Sequence, residues 1–171
     1  MVLVRDNFLA KGDWTQLDNL VHNNMPWYLQ KEQVIDADDG RWFSHIIYDE
    51  DVPKSDLYNP VIKIFKDYLK YVTLCRVNIN LLLRQETPSV SDFHTDCEWD
   101  FEDEEKITTA IFYLNTNNGA TEFKDGERID SVKNRLAVFP TNTSHRAIGQ
   151  TDTPERIVLN FNFIKSENVT I

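Results

Sequence analysis

The stretch Arg156-Ile157-Val158-Leu159-Asn160-Phe161-Asn162-Phe163 alternates between two kinds of side chain. One face would carry Ile157, Leu159, Phe161 and Phe163, and the other would carry Arg156, Asn160 and Asn162. Successive side chains of a strand point to opposite faces, so a period of two residues predicts a β-strand. The stretch Arg76-Val77-Asn78-Ile79-Asn80-Leu81 repeats this pattern. The sequence therefore predicts two long strands, each with one strongly apolar face.

The polar faces of these two strands admit two arrangements. In an open sheet, a face that carries Arg76, Asn78 and Asn80 meets water. In a barrel the same face lines an interior, where buried polar groups need partners such as a ligand or a metal ion. The alternation alone leaves both arrangements open, and the choice depends on which other side chains point inward.

Short segments rich in β-forming residues lie between the two long strands, and turn signals separate them. The predicted strands are Ile107 to Asn115, Ala120 to Phe123, Arg128 to Val132, Leu136 to Phe139 and Ser144 to Ile148. Asn118-Gly119 and Asp125-Gly126 are dipeptides typical of hairpin turns. Many short strands at regular spacing predict a sandwich or a barrel.

The first part of the chain carries two patterns of helical period. The first runs from about Asp13 to Asn24. The second has Asn59 as a candidate N-cap and Pro60 at the first helical position. Its apolar stripe consists of Val61, Ile64, Phe65, Tyr68, Leu69 and Val72. Such a stripe is typical of an amphipathic helix packed on a sheet, so the predicted fold class is α+β with N-terminal helices against one sheet.

Length, composition and net charge limit the classes of protein to which this chain can belong. A chain of 171 residues fits one domain that needs no disulfide or structural metal to fold, and it has only two cysteines. A net charge of −10 argues against a protein whose main function is to bind the phosphate backbone of nucleic acids. The N-terminus lacks the pattern of a signal peptide, and no apolar run is long enough to span a membrane. We therefore expect a soluble cytoplasmic protein.

Two of the four histidines lie in a pattern that suggests metal binding. In Phe93-His94-Thr95-Asp96, an imidazole and a carboxylate two residues apart share one face of an extended chain. His145 follows a turn and begins another predicted strand, and Arg156 heads the last one. Two imidazoles and one carboxylate form the facial triad of non-heme Fe(II) oxygenases. The candidate metal ligands are therefore His94, Asp96 and His145.

The β-rich part of the chain, from about Leu74 to Ile164, resembles the 2-oxoglutarate- and Fe(II)-dependent dioxygenases of the prolyl 4-hydroxylase branch. The segments that carry the resemblance are Phe93 to Asp96, Thr109 to Asn115, Gly119 to Phe123, and Phe139-Pro140 with His145 and Arg156. The resemblance implies a double-stranded β-helix, a jelly-roll or cupin-like barrel, over residues 74–164. It also implies that residues 1–73 supply helical support and that residues 1–171 form one dioxygenase domain.

The resemblance also implies roles for individual residues. His94, Asp96 and His145 would bind Fe(II), and Arg156 would pair with the distal carboxylate of the cosubstrate 2-oxoglutarate. Tyr113 would donate its hydroxyl to the same carboxylate, and Asn80 lies on a strand where relatives contact the cosubstrate. Asn162 would also face the pocket. O2 is the second cosubstrate, and no catalytic residue beyond the metal triad is implied.

The sequence does not identify the substrate. We favour hydroxylation of a C–H bond in a peptidyl or amino-acid substrate, with small molecules, peptides and proteins all possible partners. One alternative is a dioxygenase that acts on a nucleobase, although the net charge disfavours nucleic acid. Another is a non-oxidative, cupin-like metal-binding barrel.

The acidic segment from Asp92 to Glu105 is either a solvated loop or a lid that favours basic substrates. The sequence does not indicate the oligomeric state.

Overall fold

The computed structural model describes residues 1–30, 42–96 and 107–166. Its two helices are α1 (Lys11–Asn24) and α2 (Tyr58–Leu69). The strands are β1 (Leu3–Arg5), β2 (Tyr28–Leu29), β3 (Trp42–Asp49), β4 (Val52–Pro53), β5 (Tyr71–Leu83), β6 (Ile107–Tyr113), β7 (Ala120–Phe123), β8 (Arg128–Asp130), β9 (Arg135–Pro140), β10 (His145–Ile148) and β11 (Glu155–Lys165). Most of the acidic segment lies in 97–106, outside the described residues.

The strands form two antiparallel sheets. The large sheet has eight strands in the order β1-β9-β6-β11-β5-β3-β2, with β4 paired to β3. The small sheet has three strands in the order β10-β7-β8. The two long predicted strands are β5 and β11, which pair with each other at the centre of the large sheet. A mostly antiparallel β structure with two helices is the α+β class that the sequence predicts.

The apolar face of β5 and β11 packs against both helices, as predicted. Leu17 and Val21 of α1 share one core with the buried stripe of α2 and with the outer face of the large sheet. Phe65 lies at the centre of this core, with its ring centroid 4.6 Å from that of Phe161 and 5.3 Å from that of Phe112. Burial of these apolar side chains is the main force that holds the helices on the sheet.

The ends of α2 differ from the prediction at both termini. The helix begins at Tyr58 with Leu57 as its N-cap. The Ser55 hydroxyl accepts a hydrogen bond from the Leu57 amide, and Pro60 falls in the first turn, where its missing N–H costs no helical bond. The helix ends at Leu69 because Lys70 adopts a left-handed conformation. Val72 therefore belongs to β5, where it is 68% exposed instead of extending the helical stripe.

Four strands of the large sheet come from the part of the chain before residue 71, where the sequence predicted helices only. β1 pairs with β9, and β3 pairs with β5, so both flanks of the central strands are built from this part. β3 was missed because its sequence, Trp42-Phe43-Ser44-His45-Ile46-Ile47-Tyr48-Asp49, lacks a clean alternation. No helix in the described ranges is long and apolar enough to cross a bilayer, which takes about 20 residues.

The polar face of β5 and β11 is the inner face of the large sheet and looks toward the small sheet. A second, smaller core lies on this face, formed by Ile111, Tyr113, Phe123, Ile129, Ala137, Phe139 and Val158. Arg156 is only 2% exposed and Asn162 is fully buried. Arg156 and Asn162 of β11 therefore line an interior, whereas Arg76, Asn78 and Asn80 of β5 are partly exposed.

Candidate metal centre

Three side chains predicted to bind metal converge at one end of this interior. His94 and His145 face each other across an isolated antiparallel bridge, in which each backbone amide donates to the other residue's carbonyl at 2.9 Å. Asp96 follows two residues after His94, and its Oδ1 lies 4.0 Å from His94 Nε2 and 3.8 Å from His145 Nε2. The three ligand atoms all lie within 4.8 Å of one another, so the group could hold a metal ion.

Both imidazoles are held with the same ring nitrogen pointing away from this centre. Nδ1 of His94 lies 3.2 Å from the carbonyl oxygen of Asp92, and Nδ1 of His145 lies 2.9 Å from that of Thr143. A carbonyl oxygen can only accept, so each Nδ1 carries the proton and donates it. In the neutral rings the lone pair is then on Nε2, which faces Asp96. A hydrogen bond of this kind fixes the orientation that a metal-binding histidine needs.

The Asp96 carboxylate is held through its other oxygen. The Thr109 hydroxyl donates to Asp96 Oδ2 at 2.9 Å, and Asn162 Nδ2 donates to the same oxygen at 3.2 Å. The Thr109 hydroxyl donates its only proton to Asp96. The Thr141 hydroxyl, 2.6 Å away, must therefore donate to the Thr109 hydroxyl oxygen. Thr109, Thr141 and Asn162 are fully buried. The network leaves Oδ1 turned toward the two imidazoles.

Burial keeps His145 in the form that binds metals. Desolvation lowers the pKa of its imidazole, and the Asp96 carboxylate opposes this shift only in part. The ring packs edge-on against Phe139, with centroids 4.9 Å apart, and also contacts Phe123. A metal ion binds the neutral imidazole. The apolar side chains around His145 disfavour the charged form of the ring, so they favour its role as a metal ligand.

Arg156 lies on the same inner face, buried among neutral acceptors. Its Nε donates to the Ser131 hydroxyl at 2.8 Å, and its Nη2 donates to the Ala120 carbonyl at 3.1 Å and to the Thr121 hydroxyl at 3.3 Å. Within the described ranges no acidic side chain pairs with it. Burial accordingly lowers the pKa of the guanidinium. A buried cation that no described carboxylate pairs with favours an anionic ligand.

Of the two further residues predicted to contact the cosubstrate, Tyr113 lies beside Arg156, and Asn80 lies on β5 one inward-facing row from the residue that pairs with Arg156. The Arg156 guanidinium carbon lies 5.7 Å from the centroid of the Tyr113 ring. The Tyr113 hydroxyl donates to Thr121 at 2.8 Å, and burial raises its pKa, so it stays protonated. Asn80 faces the interior opposite Val158, where its Oδ1 accepts a hydrogen bond from Asn78 at 3.1 Å.

Sequence reasoning missed the residues that support these groups. Thr109, Thr141 and Ser131 carry hydrogen bonds to Asp96 or Arg156, but threonine and serine are common in strands and turns, and their spacing gives no signal. Thr109 could have been found from its own strand. It lies inside the apolar run Ile107-Thr108-Thr109-Ala110-Ile111, and a buried hydroxyl there must have a polar partner.

Replacing Thr109 by valine is expected to weaken metal binding by about 10- to 100-fold, the range for loss of a hydrogen bond to a metal ligand. Valine keeps the shape of threonine and removes only the hydroxyl that donates to Asp96. Titration of the apo protein with Fe(II) or Co(II) measures the effect. Thr109→Ser restores the hydroxyl and is expected to restore most of the affinity. Equal affinities in the valine and serine variants would contradict this role.

The predicted hairpin at Asn118-Gly119 does not form, and its glycine serves Arg156 instead. Gly119 has no positive φ, and it leads into β7 of the other sheet. A Cβ at this position would lie 2.8 Å from Arg156 Cδ, Asn117 Oδ1 and the Ile148 carbonyl oxygen. The absence of a side chain therefore lets the backbone approach the arginine stem. Asp125-Gly126 does form a turn, with φ of 93° at Gly126.

Gly119→Ala is expected to destabilise the protein by about 1–3 kcal/mol, because backbone or buried side chains must move to admit the methyl group. We also expect weaker anion binding, since Arg156 is one of the crowded groups. Gly12→Ala is a matched control. Gly12 lies in α1 with no atom in the way, and alanine there is expected to stabilise by up to about 1 kcal/mol. Thermal unfolding of both variants checks the opposite signs.

The fold is shared with known proteins. No protein-family model matches the sequence, and no curated protein matches it. The comparison with solved structures does give matches, and they show that the chain has the fold of 2-oxoglutarate/Fe(II) oxygenases.

Three solved structures illustrate the likeness. A prolyl-4-hydroxylase from Pseudomonas putida is 16% identical, with a TM-score of 0.56 over 96% of this chain and 92% of its own. The α-ketoglutarate-dependent epimerase SnoN from nogalamycin biosynthesis is 13% identical, with a TM-score of 0.65 over 96% and 77%. A prolyl hydroxylase from Trichoplax adhaerens, bound to a peptide fragment of hypoxia inducible factor, is 12% identical, with a TM-score of 0.58 over 95% and 83%.

Proposed function

We propose that this chain is an Fe(II)- and 2-oxoglutarate-dependent dioxygenase. The observation that carries the proposal is the pairing, on one inner face, of a His94-Asp96-His145 cluster with a buried arginine that lacks a carboxylate partner in the described residues. The cluster supplies two neutral imidazoles and one carboxylate, the donor set that suits Fe(II) and leaves coordination positions open. Arg156 supplies a cation for a dicarboxylate whose other end reaches the metal.

Each residue then has a definite task. His94, Asp96 and His145 hold Fe(II), which would supply the oxidising chemistry with O2. Arg156 binds the distal carboxylate of 2-oxoglutarate with its rigid fork of donors, which fits a carboxylate better than an ammonium does. Tyr113 contacts Arg156 and can turn its hydroxyl from Thr121 to the same carboxylate. Asn80 is assigned a polar contact at the edge of the pocket.

The proposed reaction is hydroxylation of an unactivated C–H bond in a peptidyl or amino-acid substrate. 2-Oxoglutarate loses its carboxyl carbon as CO2 and becomes succinate, which takes up one atom of O2. The other oxygen atom enters the C–H bond as a hydroxyl group, so atoms and electrons balance without a further reductant.

We further propose that the two sheets form a double-stranded β-helix over residues 74–164 and that residues 1–171 make one domain. The strand order of the large sheet and the small sheet facing it support this topology. A cytoplasmic location stays a prediction from the sequence.

The two alternatives differ from this proposal in what they require. A non-oxidative metal-binding barrel has no need of Arg156, whose burial costs free energy unless an anion binds. A nucleobase dioxygenase would need a basic groove beside the metal, and the net charge of −10 does not favour one.

The assay that tests the proposal follows 2-oxoglutarate directly. Purified protein is incubated with Fe(II), ascorbate and 2-oxoglutarate under air, and succinate and CO2 are measured without any further substrate. We expect slow, equimolar formation of both products that stops without Fe(II) or O2. Metal binding without any succinate would favour the non-oxidative barrel.

A further inference from the structure

The two histidines of the metal cluster are held by unequal parts of the fold. His145 belongs to β10, and all four residues of β10 pair with β7. His94 lies on a segment of residues 89–94, the His94 segment, which runs along the other edge of β10 and joins it through isolated bridges at Val90 and His94. The His94 side chain is 29% exposed and that of His145 only 4%. A short segment at a sheet edge opens more easily than a paired strand, so His94 is the less firmly held ligand.

A cation and an aromatic ring meet across the junction of the His94 segment and β10. Phe93 immediately precedes His94 on the segment. Arg146 follows His145 on β10 and lies opposite Phe93 in the antiparallel register, so both side chains point away from the ligand face. The Arg146 guanidinium carbon lies 4.4 Å from the centroid of the Phe93 ring. This distance is within the range of a cation–π contact, so the pair joins the two chain segments that carry the histidines.

A carboxylate on the neighbouring strand fixes the guanidinium in this position. Arg146 pairs in register with Glu122 of β7. Its Nε donates to Glu122 Oε2 at 2.6 Å, and its Nη2 lies 2.5 Å from the same oxygen. Both side chains are partly exposed, so the ion pair alone contributes little to stability. Because the guanidinium is planar and rigid, however, the pair sets the orientation in which it meets the Phe93 ring.

A second arginine flanks Glu122 on the strand at the opposite edge of the small sheet. Arg128 of β8 pairs in register with Glu122, on the side of β7 away from β10 and the His94 segment. Its Nε donates to Asp130 Oδ1 at 3.0 Å, within β8 itself. Arg146 and Arg128 are therefore matched in row and in having a carboxylate partner, but Arg146 is the one that contacts the segment of a metal ligand.

We propose that Phe93 and Arg146 form a clamp that holds the His94 segment on β10 and so positions His94 for the metal ion. Both are positioning residues that act through the backbone bridge between His94 and His145. The inference rests on the proposed function, because it requires the cluster to bind metal. A metal ion bound by both imidazoles ties the same two segments together, so the clamp and the ion stabilise one arrangement. Loss of the clamp therefore lowers the apparent metal affinity by the share of apo protein whose segment has left β10.

The first measurement is titration of the apo protein with Co(II), a probe that is stable in air. Phe93→Leu and Arg146→Met each remove one half of the clamp and keep an apolar side chain of similar reach. Each is expected to weaken Co(II) binding about 3- to 30-fold, the range that corresponds to loss of a cation–π contact. Phe93→Tyr keeps an aromatic ring and is expected to keep the affinity. Arg128→Met, the matched control, is expected to leave it unchanged.

The second measurement is amide hydrogen exchange, which reports opening of the bridge itself. The backbone amides of His94 and His145 each donate to the other residue's carbonyl at 2.9 Å. In apo Phe93→Leu and Arg146→Met, both amides are expected to exchange about 3- to 30-fold faster, while amides of β5 and β11 keep their rates. Saturating Co(II) is expected to remove most of the difference. The double variant is expected to lose no more than the larger single loss, since the two side chains form one contact.

Three results would overturn the inference and leave the dioxygenase proposal standing. One is equal Co(II) affinity in Phe93→Leu, Arg146→Met and the unmodified protein. Another is faster exchange that spreads to β5 and β11, which would indicate general destabilisation. The third is a double variant whose losses simply add, which would show that the two side chains act independently. If well-folded unmodified protein bound neither Co(II) nor Fe(II), the dioxygenase proposal would fall and this inference with it, so the two failures are distinguishable.

Discussion

His94→Ala is expected to weaken Fe(II) binding by more than about 100-fold and to remove 2-oxoglutarate turnover. Loss of a partner that merely orients a ligand costs about 10- to 100-fold, and loss of a ligand itself must cost more. His94 is the best of the three for this test because its side chain is 29% exposed. Its removal therefore leaves little buried space, and the folded state should lose little stability. Metal titration of the apo protein measures the affinity.

His22→Ala is the matched control for this experiment. His22 is an exposed histidine near the end of α1, where it pairs with Asp18 of the same helix. Its removal is expected to leave metal affinity and turnover unchanged. If His94→Ala bound Fe(II) within about threefold of the unmodified protein, the ion would have to bind somewhere other than the His94-Asp96-His145 cluster.

Arg156→Met is expected to lower the affinity for 2-oxoglutarate by roughly 30- to 5,000-fold while leaving Fe(II) binding intact. Truncation of one partner in a buried, hydrogen-bonded charge pair costs about 2–5 kcal/mol, which corresponds to this range. Methionine approximates the length of the arginine stem and carries no charge. In the protein without 2-oxoglutarate we expect little loss of stability, because a buried cation without a counter-ion is itself unfavourable.

Arg128→Met serves as the control, since Arg128 is an exposed arginine on β8 that pairs with Asp130. It is expected to leave the affinity for 2-oxoglutarate unchanged. Arg156→Lys is a useful third variant. It keeps the charge but loses the planar fork, so an affinity between those of the unmodified protein and Arg156→Met is expected. Equal 2-oxoglutarate affinity in the methionine variant and the unmodified protein would contradict the assignment of Arg156.

Much of the inner face could be predicted from the sequence because a strand has an invariant period. Because Arg156 to Phe163 has the alternation of a strand, the spacing of Arg156 and Asn162 predicts that both point inward. The same rule placed His94 and Asp96 on one face, and the structure brings them together. The faces that such a local pattern predicts agree with the structure because the tertiary contacts place the same side chains inward.

The residues that the sequence did not reveal depend on contacts between distant segments. Thr141 reaches Thr109 from a turn after another strand, and Ser131 reaches Arg156 from the loop after β8. Gly119 suggested a hairpin from its local sequence, but its position is determined by the approach of Arg156 from β11. No local pattern encodes such approaches, since they arise only when the two sheets face each other.

The central claim is that one interior holds Fe(II) on His94, Asp96 and His145 and places 2-oxoglutarate between the metal and Arg156. The most direct test is an anaerobic titration of the apo protein with Fe(II) and then with 2-oxoglutarate, followed by visible absorption. We predict a metal-to-ligand charge-transfer band that is lost in His94→Ala and requires much more 2-oxoglutarate in Arg156→Met. Well-folded protein that binds Fe(II) and gives no such band with 2-oxoglutarate would contradict the account.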